Sequence, residues 1–342
     1  MGSPSDQPPT TAAGRSAAQP APAPAPAAGP ATPGGLLPPS LPQFLLFTHD
    51  DAVNGKARDL LQSVLDDRQS VDGCKAHATL FAMNRNTDCK ALQAMYEAGH
   101  EVAVHTVSHK RLAGEPREFV ESQVLDGRRQ LADCGIPESD IVGFRAPFLS
   151  VDPQLRRVLH DNGFLYDSSV VAEAPDGFGA RLWPFDMGSG IPFECRNYTG
   201  DYGEHQQTCD AAEQLPGLWQ VPIWQLTELG GPFRMDPGFK YIGMTQAPNA
   251  SAFEILQANF LATYNGNRAP MPVFVHSFFL REGGNQRDVE RFLDFALSQP
   301  NTYAVTMRQL LAYLENPVPA DELSPEALGC GQPGGAGPQR PA

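Results

Sequence analysis

The feature that most limits how this chain can fold is a rhythm. Between residues 43 and 316 short apolar strands alternate with longer helical segments. Phe44–Phe47 reads as a buried strand, followed by a helix over Lys56–Asp66. A second strand at Ala76–Met83 precedes a helix that Thr87 or Asp88 can cap and Gly99 stops. Glu101–Val104 is a third strand. It leads into a long helix over Pro116–Cys134, with Phe119, Val120, Val124 and Leu131 spaced for one face. A fourth strand at Ile141–Phe144, a helix at Pro153–Asn162 and a fifth strand at Phe164–Ser168 follow. The rhythm returns with a helix at Ser251–Tyr264, a strand at Pro272–His276, a helix at Asn285–Leu297, a strand at Tyr303–Thr306 and a helix at Met307–Glu315. Repeated strand–helix alternation predicts a parallel sheet covered by helices. Seven or so units is barrel-sized, so the expected fold is α/β, a (β/α) barrel. An open doubly wound sheet is the alternative, but no GxGxxG follows the first strand.

Proline marks where the rhythm stops. Residues 1–42 carry 12 of the 33 prolines and residues 317–342 another 6. The run Ala21–Pro26 alternates alanine and proline, the composition of a stiff, extended linker with nothing to bury. The expected organisation is therefore a disordered linker at 1–42, a catalytic body at 43–317 and a disordered tail at 318–342. Inside the body, residues 172–250 are rich in Gly, Pro and aromatics, and read as loops around one strand, Leu218–Leu226.

Charge and cysteine narrow the setting. The net charge is −14 with no Lys/Arg cluster, which argues against nucleic acid or an anionic membrane as partner. No apolar run approaches the ~18 residues of a membrane span. No signal peptide is visible before Phe44. Six cysteines at 74, 89, 134, 195, 209 and 330 form no CxxC pair, and their even number suits disulfides. Cys195 and Cys209 bracket a polar loop and are the expected bridge. Six buried thiols in a cytosolic enzyme are the alternative. Sequons at Asn197 and Asn249 lean toward secretion.

The polar clusters fall at strand ends. Thr48-His49-Asp50-Asp51 follows the first strand, His105-Thr106-Val107-Ser108-His109 the third and Arg145-Ala146-Pro147-Phe148 the fourth, while His276 ends a later one. Each has a bland reading: Asp50-Asp51 could cap a helix, His105 and His109 could be surface histidines, Arg145 could serve a structural carboxylate, and His276 could be a satisfied core residue. In a parallel barrel, however, all strand C-termini share one face, where barrel enzymes build their sites. Two imidazoles and a carboxylate make an open site for zinc, and the same donors suit cobalt or nickel. Such an ion acidifies a water and polarises a carbonyl. A second carboxylate and an opposing histidine can then move the protons of amide or ester hydrolysis. Neither HExxH nor a GxSxG elbow is present.

These residues resemble the polysaccharide deacetylases, specifically the chitin-deacetylase branch found in insects, fungi and algae. The likeness covers about residues 43–317 and rests on Thr48–Ala52, the HxxxH of His105 and His109, Arg145-Ala146-Pro147-Phe148 and Val275-His276-Ser277. Leu165–Ser169, Leu182–Phe185 and Ala304–Met307 also look like that branch. The resemblance implies a distorted (β/α) barrel of seven strands with one divalent metal, zinc before cobalt or nickel. Asp51, His105 and His109 would be its ligands, Asp50 the general base, His276 the general acid, and Arg145 the residue orienting Asp50. Backbone donors near Phe148 would hold the oxyanion. Phe148, Trp219 and Trp224 are the candidates to meet the sugar, although a tryptophan on a strand is as often a core residue. The implied protein is a secreted or cell-wall monomer acting on N-acetylated polysaccharide.

Three departures stand out. His49 replaces the usual Phe, and strand alternation should turn it away from Asp50. Phe148 replaces Tyr. The family's Asp-Trp motif has no counterpart; Trp219–Trp224 stands nearest and offers no acid, which leaves the partner of Arg145 unassigned. The alternatives are the same chemistry on peptidoglycan or xylan, and a non-catalytic carbohydrate-binding wall protein that keeps the fold. The product of chitin deacetylation is cationic, so the acidic body should favour residence on partly deacetylated chains, and salt should weaken binding to chitosan more than to chitin.

Overall fold

The computed structural model describes residues 32–172, 181–193, 198–199, 206–239 and 249–330. The strand–helix alternation is present from the start: β1 (Gln43–Asp51), α1 (Gly55–Leu65), β2 (Ala78–Ala82), α2 (Cys89–Glu97), β3 (Glu101–Val104), α3 (Arg117–Ala132), β4 (Gly143–Phe144), α4 (Pro153–Asp161) and β5 (Tyr166–Asp167). Short strands then break the rhythm: β6 (Val171–Ala172), β7 (Phe185–Met187), β8 (Tyr198–Thr199), β9 (Gln206–Gln207), β10 (Leu215–Gln220) and β11 (Ile223–Trp224). The expected single strand Leu218–Leu226 is thus two, β10 and β11. Alternation resumes with α5 (Ala252–Tyr264), β12 (Met271–His276), α6 (Ser277–Leu280), α7 (Asn285–Leu297), β13 (Thr302–Ala304) and α8 (Met307–Glu315).

Seven strands run parallel in the order β12-β1-β2-β3-β4-β5-β10, and antiparallel β7 edges β10. β13 adds a short parallel pairing to the start of β1. Among the described residues the path does not close from β7 back to β12, so the barrel is curled but open. Side-chain alternation divides the core. On β1, Phe44 and Leu46 point into the barrel cluster, while Leu45 and Phe47 join the cluster beneath the helices. Thr48 and Asp50 continue the inward series and His49 the outward one.

The connections are fixed close to the strand ends. Asn54 caps α1 and Asp88 caps α2. Asp152 caps α4 through Leu155 N–H and also accepts from Gly114 N–H at 2.8 Å. Reciprocal Ser251/Glu254 and Thr306/Gln309 boxes start α5 and α8. Gln123 on α3 accepts from the N–H and hydroxyl of Ser108, pinning the loop after β3.

Packing continues past Pro317, beyond the expected edge of the body. Leu328 is buried and Cys330 forms a disulfide with Cys74, across 256 residues of sequence. A second bridge joins Cys89 to Cys134. Neither pairing follows from spacing alone, and no described cysteine is free. Cys209 is also disulfide-bonded, but the expected Cys195–Cys209 bridge and the Asn197 sequon involve residues outside those described. No described helix is long and apolar enough to cross a membrane.

Candidate active site

Four strands deliver the polar residues to one rim. β1 carries Asp50 and ends at Asp51, β3 leads into His105, β4 into Arg145, and β12 ends at His276. Asp50 and His276 are register partners on adjacent strands.

Arg145 is the organiser of this rim. It is fully buried, with its guanidinium between the rings of Phe81 and Phe274 at 4.0 and 4.2 Å. Nη1 donates to Asp50 Oδ1 at 2.7 Å and to Thr48 Oγ1 at 2.8 Å. Nε donates to the Ser168 carbonyl and Nη2 to Ser168 Oγ, both at 2.9 Å. The partner that the sequence left unassigned is therefore Asp50 itself, backed by Thr48 and Ser168. Burial alone would raise the Asp50 carboxyl. The Arg145 charge, with His105 and His276 behind it, outweighs that and holds the carboxyl below its usual range. Asp50 is thus ionised and aimed. Arg145 also acts through its backbone: its carbonyl lies 2.8 Å from His105 Nδ1. That contact places the ring proton on Nδ1 and leaves Nε2 bare.

Asp51, His105 and His109 each offer one donor atom, all within 4.8 Å of one another. His109 Nε2 lies 3.2 Å from Asp51 Oδ1. Asp51 Oδ1 is buried and makes no hydrogen bond, an arrangement that costs energy unless something else satisfies it. Burial holds His105 down at about 4 and also lowers His109, so both rings are neutral near pH 7. A carboxylate and two neutral imidazoles with an unsatisfied oxygen fit a divalent ion of the zinc type.

The opposite wall is His276. Its Nδ1 lies 2.7 Å from Asp236 Oδ2, and its backbone N–H donates to Asp236 Oδ1 at 2.8 Å. Burial pushes the imidazole toward the neutral form, but the Asp236 charge and hydrogen bond, helped by Asp50 and Asp51, reverse this and set it at about 9. Phe278 stacks on the ring at 5.1 Å.

The backbone is unusual here. Asp51, Thr106, His109, Phe148, Leu149 and Asp236 are six of the ten non-glycine residues with positive φ among those described. Such concentration at one rim marks a site whose geometry the surrounding fold enforces.

Comparison with known proteins shows what the chain is similar to. A model described as polysaccharide deacetylase matches residues 42–166. Chitin deacetylase 8 of Bombyx mori is 28% identical over 297 residues, covering 84% of this chain and 74% of the relative. Over residues 42–166, and in its likeness to this relative, the chain is similar to polysaccharide deacetylases of the chitin deacetylase type. Chitin deacetylase 1 of Bombyx mori, 26% identical over 307 residues, covers 84% of this chain, which spans only 54% of that relative's length. Both relatives are chitin deacetylases by name, and the likeness to them supports a chitin deacetylase-like hydrolase. A solved Mycobacterium smegmatis structure assigned as a polysaccharide deacetylase overlays with a TM-score of 0.57 at 18% identity, covering 86% of this chain and 96% of that one, and shares the fold.

The structure brings together Asp50, Asp51, His105, His109, Arg145 and His276. Phe148 stands beside them, 37% exposed, with its ring 4.7 Å from that of His109. The two tryptophans do not join them as expected. Trp224 is 1% exposed and its Nε1 donates to the Pro270 carbonyl at 2.9 Å, so it is a core residue. Trp219 is half-buried, in register with Tyr166, and packs on the barrel-interior cluster. Two contributors were missed. Ser168 sits in the phrase Leu165–Ser169 without an assigned role. Asp236 lies in the irregular region, where neither periodicity nor a strand end points to it. His49 is fully buried beneath the helices, and neither ring nitrogen makes a hydrogen bond.

Proposed function

We propose that the protein removes N-acetyl groups from N-acetylglucosamine units of chitin or a related polysaccharide, using one divalent metal, zinc first. The observation that carries this reading is the opposition of two differently tuned groups across one donor cluster. Asp50 is held ionised by Arg145, and His276 is held protonated by Asp236. Pairs pushed apart in this way are the mark of acid–base assignments.

Asp51, His105 and His109 would hold the ion, which would supply polarisation of the acetamide carbonyl and lower the pKa of a water toward about 7. Asp50 accepts the proton of the attacking water. Arg145 keeps that carboxylate turned to the site and unprotonated. His276 gives its Nε2 proton to the departing glucosamine nitrogen, while Asp236 stabilises the imidazolium until then. The backbone N–H of Phe148 hydrogen-bonds the developing oxyanion, and the exposed Phe148 ring offers a face to the sugar. One chain provides every group, so a monomer suffices. The Cys74–Cys330 and Cys89–Cys134 bridges support an oxidising, extracytoplasmic setting, secreted or at a cell wall.

The test is acetate release from chitooligosaccharides by purified protein with zinc or cobalt. Release that is lost in Asp50→Asn and in His105→Ala supports the reading. Undiminished release in either variant sinks it, and sugar binding without release from any acetylated glycan favours a non-catalytic protein.

A further inference from the structure

The phrase Asp167-Ser168-Ser169 at the end of β5 is only partly used by the chemistry above. Ser168 holds the Arg145 guanidinium. Asp167 and Ser169 lie one residue to either side and, by alternation, turn the other way. Both are fully buried. The Ser169 hydroxyl donates to Asp167 Oδ1. Ser169 Oγ in turn accepts the backbone N–H of Ala146 at 2.8 Å.

That N–H belongs to the peptide group between Arg145 and Ala146. A trans peptide points its N–H and its C=O in opposite directions. The C=O of this same group is the Arg145 carbonyl, 2.8 Å from His105 Nδ1. Four polar groups therefore form one unbroken line: the Asp167 carboxylate, the Ser169 hydroxyl, the 145–146 peptide and the His105 imidazole. The other ring nitrogen, Nε2, is left for the Asp51–His105–His109 cluster.

Every proton along the line is donated in the same sense, toward Asp167. Hydrogen bonds in such a series polarise one another, and more strongly where water is excluded. Arg145, Ala146 and His105 are all buried, so the line runs through the interior. Burial raises the Asp167 carboxyl to about 6, so at neutral pH the line ends mostly in an anion. A carboxylate that touches a metal-binding histidine fixes its tautomer and raises its basicity. Here the same influence reaches His105 through a hydroxyl and a peptide.

We propose that Asp167 is a positioning residue for the donor cluster: through Ser169 and the 145–146 peptide it fixes His105 and strengthens the hold of the cluster on a divalent ion. The proposal rests on the metal-dependent N-deacetylase reading above.

The experiment measures the zinc Kd of the full chain by competition with a chromophoric chelator at neutral pH. Wild type is compared with Asp167→Asn, Ser169→Ala, their double variant and Ser169→Thr. The urea midpoint of each metal-free protein and acetate release are separate readouts. Asp167→Asn keeps an acceptor for the Ser169 hydroxyl and removes the charge. Losing a partner in direct contact with a ligand costs about 10–100-fold in metal affinity, so a loss near the lower end, about tenfold, is expected for Asp167→Asn and for Ser169→Ala. Ser169→Thr keeps the hydroxyl and should bind zinc as wild type does. It and the near-isosteric Asp167→Asn decide the matter even if Ser169→Ala does not fold. In the double variant the two losses should not add, because the Asp167 charge acts through the intact line. An unchanged Kd in Asp167→Asn overturns the proposal and leaves Asp167 a structural residue. A loss that persists in full in the Ser169→Ala background also overturns it, since the charge would then act through space. Either result leaves the N-deacetylase reading standing while wild type releases acetate. The expected losses of affinity in a protein that releases no acetate support the line and overturn that reading instead. A wild type without measurable zinc affinity overturns both.

Discussion

Asp236 grips His276 at two points, one carboxylate oxygen 2.7 Å from Nδ1 and the other 2.8 Å from the backbone nitrogen. The two residues are 40 apart in sequence, and Asp236 sits in left-handed backbone, its own N–H donating to the Phe274 carbonyl at 2.9 Å. The ring is thereby fixed in orientation and in charge. With its pKa at about 9, the acid form of His276 persists through neutral pH and is lost as pH rises past about 9. Activity should fall on the same alkaline limb. Asp236→Asn keeps the size and removes the charge, so the limb should move to lower pH. General acid catalysis is worth about 10²–10⁴ in rate, and a drop of tenfold or more in kcat at pH 8 is expected. A pH–rate profile checks both, and an unmoved limb would rule out His276 as the acid.

Arg145 and Asp50 form a fully buried pair. Removing one member of such a pair leaves the other charge uncompensated, at a cost of about 3–5 kcal/mol. Arg145→Met should therefore destabilise strongly, measured as a lower urea midpoint, and release almost no acetate. Asp50→Asn retains acceptors for the guanidinium and should lose far less stability while losing activity. Ser168→Ala removes the Nη2 acceptor alone and should fall between wild type and Arg145→Met in stability.

How far these relationships could be read beforehand depends on what places each residue. Asp50, Asp51, His105, His109, Arg145 and His276 were legible because strand ends in a parallel sheet share a rim, so local pattern implied a common location. Asp236 was not, since only the long-range contact with the Phe274 backbone puts it there. Trp224 stood open between sugar contact and core because a two-residue strand has no periodicity to tell inward from outward. The Cys74–Cys330 bridge closes a separation of 256 residues, while sequence reasoning could only favour nearby cysteines.

His49 illustrates a liability. Its side chain is turned away from Asp50, as alternation predicts, into the layer beneath the helices, and both ring nitrogens are buried without partners. An unsatisfied buried polar group costs about 1–3 kcal/mol. His49→Phe should raise stability by about that amount and leave acetate release within about twofold. Equal or lower thermal stability would mean that the imidazole is satisfied in solution.

Acid should unfold the protein through its buried histidines. Burial lowers His100 from 6.5 to about 3 and His49 to about 4. The unfolded chain therefore binds more protons than the folded one between about pH 6.5 and those values. Stability rises with pH across that window and is lost as pH falls below about 6.5. Each such group contributes up to about 1.4 kcal/mol per pH unit. His100 Nδ1 accepts from the Ala78 N–H at 3.1 Å, a role an Asn oxygen can imitate. His100→Asn should make the loss of stability between pH 6 and 4 shallower by as much as one proton, measured by denaturant titration at each pH.

The donor cluster of Asp51, His105 and His109 links metal to folding as well as to chemistry. A ligand that binds only the folded state, at 100 times its Kd, adds about 2.7 kcal/mol. Zinc added to chelator-stripped protein should therefore raise Tm by several degrees, and the rise should depend on zinc concentration. His109→Ala removes one donor from the 4.8 Å cluster, the imidazole nitrogen 3.2 Å from Asp51 Oδ1. That variant should show little or no zinc-dependent shift while remaining folded without metal, because His109 is partly exposed at the rim. A full zinc-dependent shift in His109→Ala would place the ion elsewhere in the molecule and remove the basis for the water activation assigned to this cluster.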